Sequence, residues 1–564
     1  MENQRNLILA VVISMAVLLI FDFFFNPKTN INNIPDSAVS NGTVEAELIP
    51  KIGKDVETLS QKENLKEKRI SFDMKRIKGS INLYGATIDD VILKDYKESI
   101  KEGSNNIQVL GKESSKTPYL VRSGWASNSE FSFPNKETLW NSKKNSFKQN
   151  EPIELFWDNG QGLVFERTIE IDENFIFKII DKVKNNTEKV IDLTNFSYIQ
   201  RKNYRPDNKF FILHEGPIGV FDGTLKELSY DDLEEQKIIT ETSENGWIGI
   251  TDHYWQVSIF PKFNERFKAN FKLITNKQNS IQVDYINEKI LNLKPKNYVS
   301  SESFIFVGAK EVPLIDNYIK KYNIQNFDLS VDFGWFYFLT KPLFYALNYL
   351  SNLLGNFGIG IIVLTFFVRL ILFPLANKSF KSMNAMKLLT PEIQRLKERY
   401  KDDRTKMNQE MFNLYKQKKI NPAAGCLPIL VQIPIFFALY KVLFVSIEMR
   451  HAHFFGWIKD LSAPDPTSIF NLFGLIPWTP PTFLLIGIWP ILMGLTMYLQ
   501  QKINPPPPDP IQAKIFMILP FVFTFLLATF PAGMVIYWTF NNILSIAQQM
   551  VILKKQQKEG ISIK

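Results

Sequence analysis

Cysteine is almost missing from this 564-residue chain: there is one, Cys426, beside four histidines, His214, His253, His451 and His453. A single cysteine excludes a disulfide framework and any cysteine-built zinc site, and four scattered histidines make no metal centre. Motifs of nucleotide and hydrolytic chemistry are also lacking. No G-x-x-x-x-G-K-[ST], G-x-S-x-G or H-E-x-x-H occurs. The glycines Gly355, Gly358 and Gly360 open an apolar run, where they serve close packing rather than a phosphate. Cys426 has no histidine near it in sequence and reads as a packing residue, and His451 and His453 read as surface residues. No cofactor, no metal and no enzymatic reaction are expected.

Charge is what divides the chain. From residue 341 to the end there are 23 Lys and Arg against 10 Asp and Glu, whereas the first 340 residues hold 43 against 47. The surplus of positive charge therefore sits in the more apolar part. Basic loops between apolar runs point to a membrane protein before they point to nucleic-acid binding.

The first apolar run covers residues 7–25, about 28 Å as a helix and enough to cross a hydrocarbon core. A cleaved signal peptide would need small residues after it, but the run ends Phe23, Phe24, Phe25, Asn26, Pro27. An uncleaved anchor is expected over 1–26. Further spans are expected over 353–376, 423–446, 483–500, 514–530 and 531–553. Several are short or marked by polar residues, as suits helices that face protein or a wet cavity on one side. The segment 377–422 carries most of the basic loop charge and the tail 554–564 is basic, whereas 447–482 has few charges. Both basic segments, and hence both termini, are expected in the cytoplasm. The loop 501–513 is a stiff proline-rich connector on the same side.

Residues 27–65 lack periodicity and read as a linker. From 66 to 330 the pattern is strand-like: 153–157 and 163–171 form a hairpin about Asp158-Asn159-Gly160, and a turn at 172–174 leads into the next strand. Residues 80–93 and 280–286 alternate in the same way. An external all-β sandwich follows. The aromatic-rich stretch 331–352, interrupted by Pro342, is expected to lie as an interfacial amphipathic helix before the second span.

Arg369 is the sharpest candidate for function. It stands in the apolar stretch GIIVLTFFVRLILFPLAN, with Thr365 one turn earlier on the same face. Snorkelling to the headgroups would satisfy a lone cation; a wet cavity explains the polar stripe as well, because a lipid-facing charge is costly. Gln432, Thr496, Gln500, Thr524, Tyr537, Trp538, Asn541 and Asn542 offer polar partners from other spans. Interhelical hydrogen bonding explains some of these, but no acid lies in the neighbouring spans. A carboxylate supplied from outside, on an acidic client segment, is the natural counter-ion.

In 377–422, Met383, Met386, Leu389, Ile393, Leu396 and Tyr400 recur at helical spacing, and Met407, Met411 and Leu414 continue beyond Lys401-Asp402-Asp403-Arg404. A two-helix hairpin with one apolar and one basic face is expected, with Thr390-Pro391-Glu392 as a helix start. Its charge suits anionic lipid or ribosomal RNA.

Three stretches, LTFFVRLILFPL (364–375), NPAAGCLPILVQIPIFFALY (421–440) and FPAGMVIYWTFNNILSIAQQ (530–549), resemble the YidC/Oxa/Alb family of membrane protein insertases. GSINLYGATIDDVILKDY (79–96) resembles the external domain of its Gram-negative members, a sandwich similar to mutarotase-like domains. The resemblance implies an α-helical polytopic protein of the bacterial inner membrane with six transmembrane helices. Five would form a core around a hydrophilic groove, with the β-sandwich outside. It implies groove residues Arg369, Thr365, Gln432 and Trp538, beside Tyr537; Trp538 stands where the family often has tyrosine. It also implies nascent membrane proteins as substrates, and the Sec translocon, the ribosome and membrane lipids as partners. Insertion and folding of membrane proteins is the expected function. The alternative is a secondary transporter or channel for a small anion bound at Arg369, although no internal repeat supports it.

Overall fold

The computed structural model describes residues 67–202, 213–275, 279–401, 403–418, 427–478, 480–481, 484–503 and 510–558. The expected first span and the linker after it lie outside the described residues, as do Cys426 and the prolines 505–508.

Alternating side chains build the first half. Leu163–Ile171 buries every second residue, and pairs antiparallel with both Ile153–Asp158 and Ile176–Asn185. Ile176–Asn185 then pairs with Tyr298–Ala309 at the centre of a nine-stranded sheet. An eleven-stranded sheet is centred on Tyr119–Ala126, Ile191–Lys202 and Asn279–Asn287. Apolar residues of both sheets share one buried core, including Phe165, Phe177, Val283 and Tyr285. The directly opposed pair Arg167 and Asp181 is buried, with Nε donating to Oδ1 at 2.6 Å and Nη2 to Oδ2 at 2.9 Å. The alternation over 80–93 is two strands rather than one. Ile77–Asn82 turns back into Thr87–Lys97 through Gly85, whose φ of +67° breaks the extended run.

Ten helices are used below: α1 Tyr230–Gln236, α2 Val312–Tyr322, α3 Tyr337–Leu354, α4 Phe357–Ile371, α5 Phe373–Arg399, α6 Arg404–Gln417, α7 Leu427–Val445, α8 Ile488–Ile503, α9 Pro510–Leu527 and α10 Ala532–Lys558. Gly355, at φ +67°, ends α3, and the Asn356 side chain caps α4 by accepting from the Ile359 N–H at 3.1 Å. Gly358 is a packing glycine: a Cβ there would sit 2.1 Å from the Phe454 ring.

Two expectations need correction. Residues 353–376 are not one straight span. The chain breaks at Leu372, and α4 and the start of α5 meet at 65°. Pro374 has no N–H with which to continue the first helix, and it sits in the opening turn of the second, where none is needed. Thr390-Pro391-Glu392 is not a helix start either, because α5 runs through Pro391. The apolar face carrying buried Leu389 and Ile393 continues across the proline without a change of phase. Among the described residues no single helix is long and apolar enough to cross a membrane, although the bent pair passes that test by length and composition.

The sandwich is joined to the helices by a polar seam. Lys341 of α3 donates to Asp316 at 2.8 Å and to Asp328 at 3.1 Å. Lys441 of α7 reaches Asp332 at 2.6 Å. His253 donates from Nε2 to the Phe444 carbonyl at 2.9 Å, and Arg450 donates to the Lys97 carbonyl at 2.6 Å. Beside them, one carboxylate oxygen of Glu448 is buried with no hydrogen-bond partner among the described residues. Burial, and secondarily the Glu311 carboxylate, pushes Glu448 up to about 7, whereas burial pulls His253 down to about 4.

The folded protein therefore holds a proton on Glu448 to higher pH than the unfolded chain. The stability this contributes is complete below the ordinary value of 4.5 and is lost as pH rises through about 7. Glu448→Gln should melt like the native protein near pH 4 and become more stable than it, by about 1–3 kcal/mol, above pH 7. Thermal unfolding in detergent across that range checks this; a constant difference at all pH values would remove Glu448 as the cause.

Candidate functional site

Arg369 lies in the last turn of α4, three residues before the break at Leu372. Its guanidinium faces α10. There Nε donates to Asn541 Oδ1 at 2.9 Å and Nη2 donates to the same oxygen at 2.7 Å. Among the described residues no carboxylate is within ion-pairing distance. The cation is thus held by a neutral amide, through charge-assisted hydrogen bonds that fix its plane without cancelling its charge.

The neighbouring polar groups come from α7 and α10. Gln432 and Tyr537 share a hydrogen bond, and Tyr537, which is buried, lies near enough to Arg369 to interact with it electrostatically. Asn541 is one turn along α10 from Tyr537, and Ser545 one turn further, its hydroxyl donating back to the Asn541 carbonyl at 2.6 Å. Three helices thus converge on one strip made by Arg369, Asn541, Tyr537 and Gln432. Thr365, one turn before Arg369 on α4, is buried, and its hydroxyl donates to the Ile361 carbonyl of its own helix at 2.6 Å, so its donor is used within that helix.

Trp538 stands apart from that strip. It is one residue, hence about 100° of helix, from Tyr537, and it packs against Phe436 of α7 and Phe523 of α9 with ring centroids 4.9 and 5.8 Å away. Asn542, on the same side of α10, donates to Thr496 of α8 at 3.3 Å. Sequence reasoning counted Asn541 among several polar residues without singling it out. The signal was its spacing of four from Tyr537, but only the structure pairs it with Arg369.

Two family models match, together spanning nearly all of this region and the sandwich. The YidC periplasmic domain matches residues 69–346, and the 60Kd inner membrane protein matches residues 349–559. A membrane protein insertase YidC of Pelagibacter ubique is 46% identical over 560 residues, 98% of this chain and 99% of that protein. Another, of Rickettsia rickettsii strain Iowa, is 43% identical over 557 residues, with the same coverage of both chains. The chain belongs to the YidC family of membrane protein insertases. A crystal structure of an active YidC insertase with the first transmembrane domain resolved is 18% identical, covering 86% of this chain and 92% of that one, at a TM-score of 0.36. As a family member the chain is an inner-membrane insertase with a periplasmic β-sandwich, and nascent membrane proteins are its substrates.

Removing the amide from this insertase should expose the cost of the buried cation. Asn541→Leu keeps the volume but leaves the guanidinium fork without its acceptor, so stability in detergent should fall by about 1–3 kcal/mol. Combining it with Arg369→Met should recover most of that loss, because two apolar groups then face each other. A thermal-unfolding double-mutant cycle reads the coupling; additive losses would show that the two side chains act independently.

Proposed function

We propose that the strip around Arg369 receives the hydrophilic, often acidic, segment of a membrane protein during insertion. The observation that carries this reading is a cation held by a neutral oxygen, with its charge left for a carboxylate that none of the described residues supplies. Arg369 attracts the segment, Asn541 fixes the guanidinium, and Gln432 and Tyr537 offer hydrogen bonds to its backbone. Thr365 supports the helix behind them.

The client's apolar helix lies along the lipid-facing side of α7 and α9, where Ile433, Phe437, Phe521 and Phe525 are exposed. Trp538, between Phe436 and Phe523, forms the aromatic boundary between the two kinds of surface. The driving force is partitioning of the client helix into lipid, roughly 0.8 kcal/mol per buried methylene. No nucleotide enters this scheme.

In the same reading the chain has six spans, with both termini in the cytoplasm and the sandwich in the periplasm. Short helices support local thinning of the bilayer: the 15 residues of α4 reach only about 22 Å. The basic α5–α6 hairpin and tail would meet the ribosome and anionic lipid, and the lipid-facing helices would meet the Sec translocon.

The test is insertion in proteoliposomes holding the purified protein alone, read by protease protection of a two-span client. Arg369→Ala should reduce protection of clients with acidic translocated segments about tenfold, with neutral segments affected less and Arg369→Lys largely active. Asn541→Asp, which supplies an internal counter-ion, should resemble Arg369→Ala. Equal insertion of every client by all three variants would take Arg369 out of the mechanism.

A further inference from the structure

The segment between α7 and α8 holds a surface that the insertion mechanism does not use. From Pro466 to Gln501 the sequence has no charged residue and no histidine. Within it, Phe470, Leu472, Phe473, Leu475, Ile476 and Trp478 are all exposed, Leu475 by 83%. An aqueous loop seldom gathers six large apolar side chains in nine positions, and a contiguous patch of this kind marks a contact surface.

The loop is built rather than loose. Buried Asp465 accepts from Trp457 Nε1 at 3.1 Å, from the Thr467 N–H at 3.0 Å and hydroxyl at 2.7 Å, and from the Trp489 N–H at 2.9 Å. One carboxylate thereby ties the loop's entry to the first turn of α8. Gly487 is obligatory beside it, since a Cβ there would lie 2.4 Å from the Asp465 carboxyl carbon. Buried Ser468 donates to the Leu484 carbonyl at 3.0 Å and accepts from the Phe470 N–H at 3.2 Å. Above this base the backbone is left-handed at Leu472, φ +48°, and at Phe473, φ +58°. Bulky residues rarely adopt that conformation, and it costs free energy unless the surroundings reward it. Here its effect is to turn apolar side chains outward from a fixed platform.

We propose that residues 469–478 form a wedge seated in the outer leaflet of the bilayer, with Leu472, Phe473 and Leu475 among the acyl chains and Trp478 at headgroup level. The occupant is lipid because the sequence from Pro466 through Gln501 offers no charge or histidine to pair with an aqueous or ionic partner, and because α8, which follows the patch and exposes Leu492, Leu495 and Leu499, belongs to the helix set of an inner-membrane protein. The wedge replaces part of the periplasmic loop expected over 447–482. It rests on the topology proposed above, which puts this end of α8 outside.

The test places a reporter at the tip. The full chain carrying Cys426→Ser and Leu475→Cys is labelled with the fluorophore NBD and reconstituted in phosphatidylethanolamine–phosphatidylglycerol vesicles. A second labelled chain has Asn159→Cys, in an exposed turn of the sandwich. The Leu475 label should emit to the blue of the Asn159 label, lose most of its emission to spin labels on acyl chains, and resist aqueous iodide. Quenching by iodide and not by acyl-chain spin labels would overturn the wedge in favour of an aqueous loop. Protection from both quenchers would overturn it in favour of a protein contact, including one with a second copy. Spheroplasts separate this result from the topology: membrane-impermeant dithionite must bleach the Asn159 label from outside. If it does not, the topology fails; if it does while iodide quenches Leu475, the wedge alone fails.

Discussion

A guanidinium keeps its proton throughout the accessible pH range, so a chain that puts one among apolar helices must provide for a permanent charge. Among the described residues the chain provides one amide oxygen, Asn541 Oδ1, and the rest of the helical arrangement is organised around that contact. The break at Leu372 ends α4 directly after Arg369, and Pro374 enforces it. Gly358 lets α4 come close to Phe454, holding its first turn. The run of Tyr537, Asn541 and Ser545 along α10 gives that helix a polar face although the sequence around it is apolar. Had the partner been a carboxylate, the same geometry would form a closed ion pair, tightly held and indifferent to any other acid. A neutral acceptor orients the cation and leaves its field intact.

The two ends of the helix set are fixed differently. On the side of the sandwich, α7 is clamped through Lys441 and the Phe444 carbonyl, the turn after it through Arg450, and α8 is tied down through Asp465. These contacts link separate elements by partly or fully buried polar groups, where unpaired partners are costly and the geometry is therefore well specified. The other side has the α5–α6 hairpin, whose Lys418 to Glu392 pair at 3.4 Å is exposed and contributes little.

What could be read from sequence followed from period and charge. Alternation located the hairpin of Ile153–Asp158 with Leu163–Ile171, because one buried face dictates it. It failed at 80–93, because a tight turn at Gly85 preserves the apparent alternation while reversing the chain. Helical spacing found the faces of α5 and α6, but local turn chemistry overstated Pro391: a proline after threonine is a helix start only where the apolar phase changes, and here it does not. Arg369 was legible as a charge without an acid. Its partner was not, since Asn541 is 172 residues away and any of several polar residues could have met it. Trp538 comes from the family resemblance and Tyr537 from its place beside it; as adjacent helical residues they point about 100° apart.

That 100° separation has a consequence for the proposed mechanism. An inserting segment is amphipathic along its length, with a polar part that must cross and an apolar part that must stay. Tyr537 and Asn541 present the polar strip on one side of α10, and Trp538 with Phe436 and Phe523 seals another. Both surfaces are consecutive residues of one rigid helix, so their relative position is set by helical geometry and not by the packing of separate elements. A client can then exchange its polar part from the strip to the far side, and its apolar part from the seam to lipid, without any large rearrangement of α10. The tryptophan contributes a flat, wide barrier there, and its indole has one N–H donor and no acceptor, so unlike a second hydroxyl it cannot compete with a client for the Arg369 guanidinium.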